Sequence, residues 1–484
     1  MKNFTYLFLV SLFVLLPLAS IVSCGTAVTE EEGKEATAPP VAEQELVKGE
    51  EEEVAPEEEA ATDEEEVVPP ADITPPSSIT GLVANNAYDG KVNLWWDKST
   101  ATDFDHYNVY LDKTDMADVT GMKPIQQIKD VATCRYQATG LEDGTKYYFA
   151  VTAVDKSGKE GEKVTSVGAT PTQMPKGTKD PDIIVDVYNS EMTWAGTTLL
   201  RDSHNPGKHR IIEVNMLGEI VWQYMVPQNL GGAGDVELLP NNNILFTANG
   251  GVYEIDRSGK VVWQYLTSKI DHDADRLPNG NTIFVFGMSD QKSDAQVTEV
   301  NPKGEIVWQW YARDYFDRPP YNSIYEEGSW THANAVTRMP NGNTFISLRN
   351  FSMVVEVDPK GAVVRTIGEG VLVEVHDPEV LSNGNILGAI PKVTNPAHAI
   401  EIDPKSGAIV WQFRWPRELL PQGTRDANRL PNGNTLVVGG TKMVEVTSKG
   451  EIVWQLGLKG ISFSSDNEAK SSGFYKADRI SAQR

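Results

Sequence analysis

Three histidines, an asparagine and two arginines of this chain fall where they could act together on an anion. Counting back seven positions from a recurring turn asparagine gives Gly234, His272, Asn334, His376 and Arg425. The next position along is Asp235, Asp273, Ala335, Asp377 and Asp426. That aspartate persists beside glycine and beside arginine, so it reads as structural, whereas the position before it varies as a functional one would. His332 stands two residues before Asn334 and so shares its face of a strand. If Asn341-Gly342 is a two-residue turn, Pro340 pairs with Asn343 and the ladder carries Asn334 opposite Arg349. The equivalents of Arg349 elsewhere are Gly287, Pro391 and Gly440, so the arginine breaks a pattern. Arginine offers a planar fork for tetrahedral oxyanions. Neutral imidazole can act as nucleophile or as acid and base near neutral pH. No carboxylate is required to point among these groups. His106, His204, His209 and His398 do not share the position. No Cys/His set has zinc spacing, so neither metal nor cofactor is expected.

These residues are positioned by a repeat. Six copies run from Glu213 to Trp222, Glu254 to Trp263, Glu299 to Trp308, Glu356 to Arg365, Glu401 to Trp411 and Glu445 to Trp454. Their period of about forty to sixty residues is that of a propeller or solenoid. Each copy holds one hairpin, and a second precedes it at an Asn-Gly turn: Asn279-Gly280, Asn341-Gly342, Asn383-Gly384, Asn432-Gly433, and more weakly Asn241-Asn242. Two hairpins make a four-stranded blade, and the count predicts a six-bladed β-propeller over 182–484. The first blade takes its inner strands from about 183–200 or borrows one from the C-terminus. Closing the ring protects the sheet edges, and inner strands line the axis, where the variable residues can converge. The repeated Trp-Gln endings are expected to pack between blades, and the repeated glutamate to be a structural hydrogen-bonding residue. A long insertion before the fourth blade carries Tyr311, Tyr315, Phe316, Tyr321, Tyr325 and Trp330. It forms either a lid or aryl wall for an aromatic substrate, or a self-packed loop.

The rest of the 484-residue chain is organised differently. Lys2, the apolar run Leu7 to Leu18 and small residues up to Cys24 form a secretory signal over 1–23. Ile21-Val22-Ser23-Cys24 resembles a bacterial lipoprotein box, which implies a lipidated Cys24 and an extracytoplasmic protein anchored to the cell envelope. Of the formal net charge of −25, most sits in residues 25–80, which hold eighteen acidic residues and two lysines. Such a segment cannot bury a core, so 24–73 is expected to be a disordered acidic tether. The moderately acidic remainder argues against nucleic acid as a partner.

Residues 74–172 alternate in the manner of a β-sandwich, with Val92, Leu94 and Trp96 inward and Trp95 outward. The segment is similar to a fibronectin type III domain, with Trp96 as the core tryptophan and Tyr147 as the corner tyrosine. Cys134 and Tyr136 share strand parity, so Cys134 is expected to be a buried free thiol. The fold class is therefore all-β, a six-bladed propeller preceded by a fibronectin type III sandwich and a disordered linker.

From about Asp182 onward the chain resembles the bacterial aryl-sulfate sulfotransferase family. The segments that carry the resemblance are His272-Asp273, Thr331-His332-Ala333-Asn334 with Ser347-Leu348-Arg349, and His376-Asp377. The resemblance implies an enzyme that moves a sulfuryl group from a phenolic sulfate donor to a phenolic acceptor without the nucleotide donor PAPS. It also implies His376 as the histidine that carries the group, with His272, His332, Asn334 and Arg349 around the sulfate. Arg425, at the same repeat position, is a further candidate for substrate binding. The alternative is a surface-anchored propeller that binds anionic glycans or peptides without transfer. A quinoprotein-like enzyme is a third reading, disfavoured by six repeats rather than eight and by the lack of an evident metal-ligand set. The propeller has no cysteine, so no disulfide can form within it.

Overall fold

The computed structural model describes residues 74–482 apart from 162, 206, 232–233, 392–397, 420–422 and 462–472. The signal segment, Cys24 and the acidic segment to residue 73 lie outside the described residues. No helix among the described residues is long and apolar enough to cross a membrane.

Alternating apolar residues build the first β-unit. Val83–Asn86, Val92–Trp95 and Arg135–Ala138 form a three-stranded sheet, and Gln126–Ile128, Phe104–Asp112, Tyr147–Asp155 and Val167–Ala169 a four-stranded one. Val92, Leu94 and Trp96 pack with Tyr107, Val109 and Phe149 in one core. The Tyr147 hydroxyl accepts the Glu142 N–H at 3.1 Å, as a corner tyrosine does. Cys134 is free, but half-buried rather than buried. Trp95 turns outward against Trp194, ring centroids 5.7 Å apart. Asn85 bonds Ala195 on both backbone groups, at 2.8 and 3.0 Å.

Six antiparallel sheets follow. Four of them take their strands in simple order: Val236–Leu238 to Val261–Leu266, Ala274–Arg276 to Ile306–Trp310, Ala333–Arg338 to Val363–Ile367, and His376–Val380 to Ile409–Arg414. These are blades two to five. Blade one comprises Gly196–Asp202, Arg210–Val214 and Ile220–Met225, and its innermost strand is the C-terminal Phe474–Ser481. Ile183–Tyr188 is not an inner strand. It pairs outside Ile452–Leu458 as the fifth strand of blade six, which begins at Thr424–Arg429. Strands from the start and the end of the propeller segment thus close the ring, and Phe474–Ser481 packs beside the inner strands of blades six and two.

The repeated glutamate and tryptophan form one clamp between successive blades. Arg276 reaches back to Glu254 at 2.8 Å, while its guanidinium lies 4.6 Å from the Trp263 ring centroid. Arg338 does the same with Glu299 and Trp308, Arg429 with Glu401 and Trp411, and Arg479 with Glu445 and Trp454. The tryptophan Nε1–H then caps a carbonyl of the next blade, as Trp263 does with Pro302 O at 3.0 Å. Trp454 donates to Met216 O at 3.0 Å and so joins the last blade to the first. In blade four Arg365 stands where tryptophan stands elsewhere and pairs with Glu356 on the adjacent strand at 2.6 Å.

The Asn-Gly turns differ from the two-residue type. Leu277 O accepts from Gly280 N, and Leu277 N donates to Asn281 O, both at 2.8 Å. Gly280 has φ +85°, and Asn279 is not left-handed. This is the three-residue pattern of a type I turn closed by a left-handed glycine. It recurs at Met339, where Gly342 N bonds Met339 O, and shifts the register by one residue. Arg338 pairs with Thr344, and Asn334 is the unpaired residue of a bulge between Ala333 and Ala335. Asn334 therefore does not face Arg349 across the ladder. Arg349 lies past the strand end in a single 3-10 turn, its N–H bonded to His332 O.

Candidate functional site

Bulges recur where the inner strands of blades four to six begin: at Asn334, between His376 and Glu379, and at Arg425. A bulge re-aims a side chain at a sheet end. Here it serves the variable repeat position, held by Gly234, His272, Asn334, His376 and Arg425 in blades two to six. Blade one supplies the missing member. Tyr475-Lys476-Ala477-Asp478-Arg479 repeats the pattern of His272-Asp273-Ala274-Asp275-Arg276, so Tyr475 occupies the histidine's place. His332 is held at φ +50° because the buried carboxylate of Asp290 collects the N–H groups of Trp330, Thr331 and His332 at 3.0 to 3.2 Å. Asp271 accepts the His272 N–H at 2.7 Å, and burial pushes that carboxyl up to about 7.

The hydrogen bonds fix the tautomers. Arginine only donates, so Arg349 Nη1, 3.4 Å from His332 Nδ1, makes that nitrogen an acceptor. His332 then carries its proton on Nε2 and donates to His272 Nε2 at 3.0 Å. The two rings are nearly coplanar, 14° apart with centroids at 5.1 Å, which suits an edge-to-edge bond rather than a face-to-face stack. His272 is accordingly protonated on Nδ1 and donates to the Tyr475 oxygen at 2.8 Å. The hydroxyl hydrogen of Tyr475 is left for another acceptor.

His376 is buried at the start of its strand, and its Nδ1–H donates to Glu374 O at 2.9 Å. Its Nε2 therefore presents a lone pair with no hydrogen-bond partner among the described residues. Burial, then the nearby charge of Arg425, then His272 and Arg349 hold its pKa well below the usual imidazole value of 6.5. Asn334 is also buried. Its Nδ2 donates to Val375 O at 3.4 Å, and its Oδ1 has no donor among the described residues.

Two carboxylates that the repeat does not require also reach the site. Arg349 has Glu327 Oε2 at 3.4 Å and Glu374 Oε2 at 3.7 Å. Both glutamates lie outside the repeat, at φ +52°. The aromatic insertion is chiefly self-packed: Phe316, Tyr321 and Trp330 gather on Phe351, and Tyr325 is exposed.

One residue further along, the inner strands of blades two, three, five and six carry aspartates, with Ala335 in blade four and Lys476 in blade one. Lys476 Nζ lies 2.7 Å from Asp273, 3.0 Å from Asp377 and 3.3 Å from Asp235, while burial and the neighbouring Asp377 hold the Asp426 carboxyl well above the usual carboxylate range. A chamber of about 110 Å³ runs among these groups, Glu237 and Asp275. Burial raises Asp273 to about 7 and Glu237 to about 8. Three of the recurring aspartates, Asp235, Asp273 and Asp377, are thus the partners of a buried lysine. A cavity of about 470 Å³ between blades four and five, lined by residues such as Thr337, Pro340 and Val380, is lined by no histidine.

Away from the axis, Asp180, Asp182 and His204 bring possible metal-ligand atoms within 4.8 Å of one another. Arg210 bonds Asp180 and Asp202, and Asp202 bonds His204, at 2.7 to 2.8 Å, so this set reads as an ionic network.

Two family models match parts of the chain. The family model described as Arylsulfotransferase (ASST) matches residues 191–370, and the fibronectin type III domain model matches 74–167. The first match spans His272, His332, Asn334 and Arg349 and ends six residues before His376. No curated protein matches the chain. Similar solved structures include a protein of unknown function from Bacteroides caccae, at 20% identity and TM-score 0.43, covering 58% of this chain and 98% of that one. Virginiamycin B lyase from Staphylococcus aureus matches at 16% identity and TM-score 0.34, covering 47% and 70%. A calcium-binding protein, regucalcin, from Agrobacterium tumefaciens matches at 11% identity and TM-score 0.34, covering 55% and 94%. The chain is consistent with an arylsulfotransferase-family protein that carries a fibronectin type III domain.

Proposed function

We propose that the propeller is a PAPS-independent aryl-sulfate sulfotransferase that works through a sulfohistidine on His376. The observation that carries this is the state of His376: buried, kept neutral, with Nδ1 committed to Glu374 O and Nε2 unpartnered beside the charges of Arg425 and Arg349. In the first half-reaction Nε2 attacks sulfur, the bond from sulfur to the aryl oxygen breaks, and the phenolic oxygen leaves with the bonding pair. A phenol of pKa about 10 leaves readily, and a proton from the Tyr475–His272–His332 chain supports its departure. Arg349 and Arg425 offset the charge on the sulfuryl oxygens, the kind of preorganised stabilisation that usually dominates such transfers. In the second half-reaction an acceptor phenol attacks sulfur, the bond from sulfur to His376 Nε2 breaks, and the phenolic proton returns to the Tyr475–His272–His332 chain, leaving His376 as it began. The unpaired Asn334 Oδ1 suits the acceptor's O–H, since an amide oxygen can only accept. The leader ending at Cys24 supports a lipid anchor at the cell envelope.

The test is transfer from a chromogenic aryl sulfate to a phenol by the full chain and by His376→Ala. Transfer by the wild type alone supports the reading. Equal rates refute it, and aryl-sulfate binding without transfer favours a binding propeller.

A further inference from the structure

Arg349 stands beside the bonded histidine pair, its Nη1 3.4 Å from His332 Nδ1, yet it already faces two carboxylates. They are not equivalent. Glu374 is buried, and its own carbonyl holds His376. Glu327 is half-exposed, with 49% of its side chain accessible, whereas the Arg349 side chain is only 5% accessible. The loop that delivers Glu327 is placed firmly: Asn350 Nδ2 donates to Ser329 O at 3.0 Å and Trp330 O at 3.3 Å, while Asp290 gathers the following N–H groups. Glu327 therefore holds a half-exposed carboxylate 3.4 Å from the buried Arg349 guanidinium.

We infer that Glu327 sets the charge selectivity of the pocket, admitting monoanionic sulfate esters and disfavouring dianions such as inorganic sulfate and aryl phosphates. This rests on the reading of the pocket as an aryl-sulfate site. Repulsion from one carboxylate scales with the ligand's charge. If neutralising Glu327 tightens a monoanion about threefold, as a screened, partly exposed charge would, the same change tightens a dianion about tenfold. An aryl phosphate is largely dianionic at about pH 8, given a second pKa near 6. The carboxylate thus limits occupancy by free sulfate and by phosphate esters that would otherwise block His376.

The test is calorimetric binding of phenyl sulfate, phenyl phosphate and inorganic sulfate to the full chain, to Glu327→Gln and to Glu326→Gln, a neighbouring carboxylate with no described contact to Arg349. The expected result is a gain of about threefold for phenyl sulfate and about tenfold for both dianions in Glu327→Gln, with no such gain in Glu326→Gln. Equal gains for all three ligands, no gain, or the same gain in Glu326→Gln overturn the inference. Charge-graded binding with no sulfuryl transfer leaves it standing and removes the enzyme reading. Transfer with an unchanged selectivity ratio does the reverse, and a pocket that binds none of the three ligands ends both.

Discussion

Replacing Lys476 by methionine tests how the propeller is closed. Lys476 sits on the C-terminal strand of blade one, with carboxylates of blades two, three and five within 2.7 to 3.3 Å and only 8% of its side chain accessible. Methionine keeps the length and apolar stem but leaves Asp235, Asp273 and Asp377 facing one another without a cation. Removing one partner of a buried ion cluster costs about 3–5 kcal/mol. The loss should depend on pH. Burial already raises the folded pKa of Asp273 from 3.8 to about 7 with the lysine present, and the variant pushes it further. A carboxyl whose folded pKa lies above its unfolded value holds a proton that the unfolded chain gives up. Its contribution to stability therefore falls as pH rises from the unfolded towards the folded value. In Lys476→Met the cost should be about 1–2 kcal/mol at about pH 5, where protons replace the lysine, and the full amount at about pH 8.5. Urea unfolding of wild type and variant at both pH values measures the difference. A loss that is the same at both, or below about 1 kcal/mol at the higher pH, would refute the counter-charge role given to these aspartates.

Other consequences can be checked directly. His376 is held neutral by burial and by Arg425, so the acid limb of the transfer rate should lie below the ordinary imidazole value of 6.5; a limb at 6.5 assigned to His376 speaks against the arrangement. Tyr475→Phe removes the oxygen that accepts from His272 Nδ1 and should lower kcat about 100-fold, the usual size of an acid–base contribution, with little change in KM. An unchanged kcat would make Tyr475 a packing residue. Cys24→Ser should abolish incorporation of labelled fatty acid and release the protein from membranes; labelling that persists would place the anchor elsewhere.

Much of the fold was legible because its cues are local. A left-handed glycine after a type I turn, a glutamate that must meet an arginine and a tryptophan that must cap a carbonyl repeat at fixed offsets. Breaks in that pattern drew His272, Asn334, His376 and Arg425 to notice, and the structure places their strands' ends around one axis. Tyr475 and Lys476 escaped because the strand that carries them is separated in sequence from the blade it completes. The signal was present in the likeness of Tyr475-Lys476-Ala477-Asp478-Arg479 to His272 onward. The proposed pairing of Asn334 with Arg349 failed for a physical reason: a three-residue turn and a bulge each displace the register, and strand counting assumes neither. Glu327 and Glu374 were invisible because loops outside the repeat bring them in at positive φ.

The most direct measurement is of the covalent intermediate. The full chain is mixed with an aryl sulfate in the absence of acceptor, quenched under alkaline conditions and mapped by peptide mass spectrometry. One sulfuryl group is expected on His376, absent from His376→Ala and discharged when a phenol is added. Transfer that proceeds with no adduct on His376, or with the adduct on another residue, would contradict it.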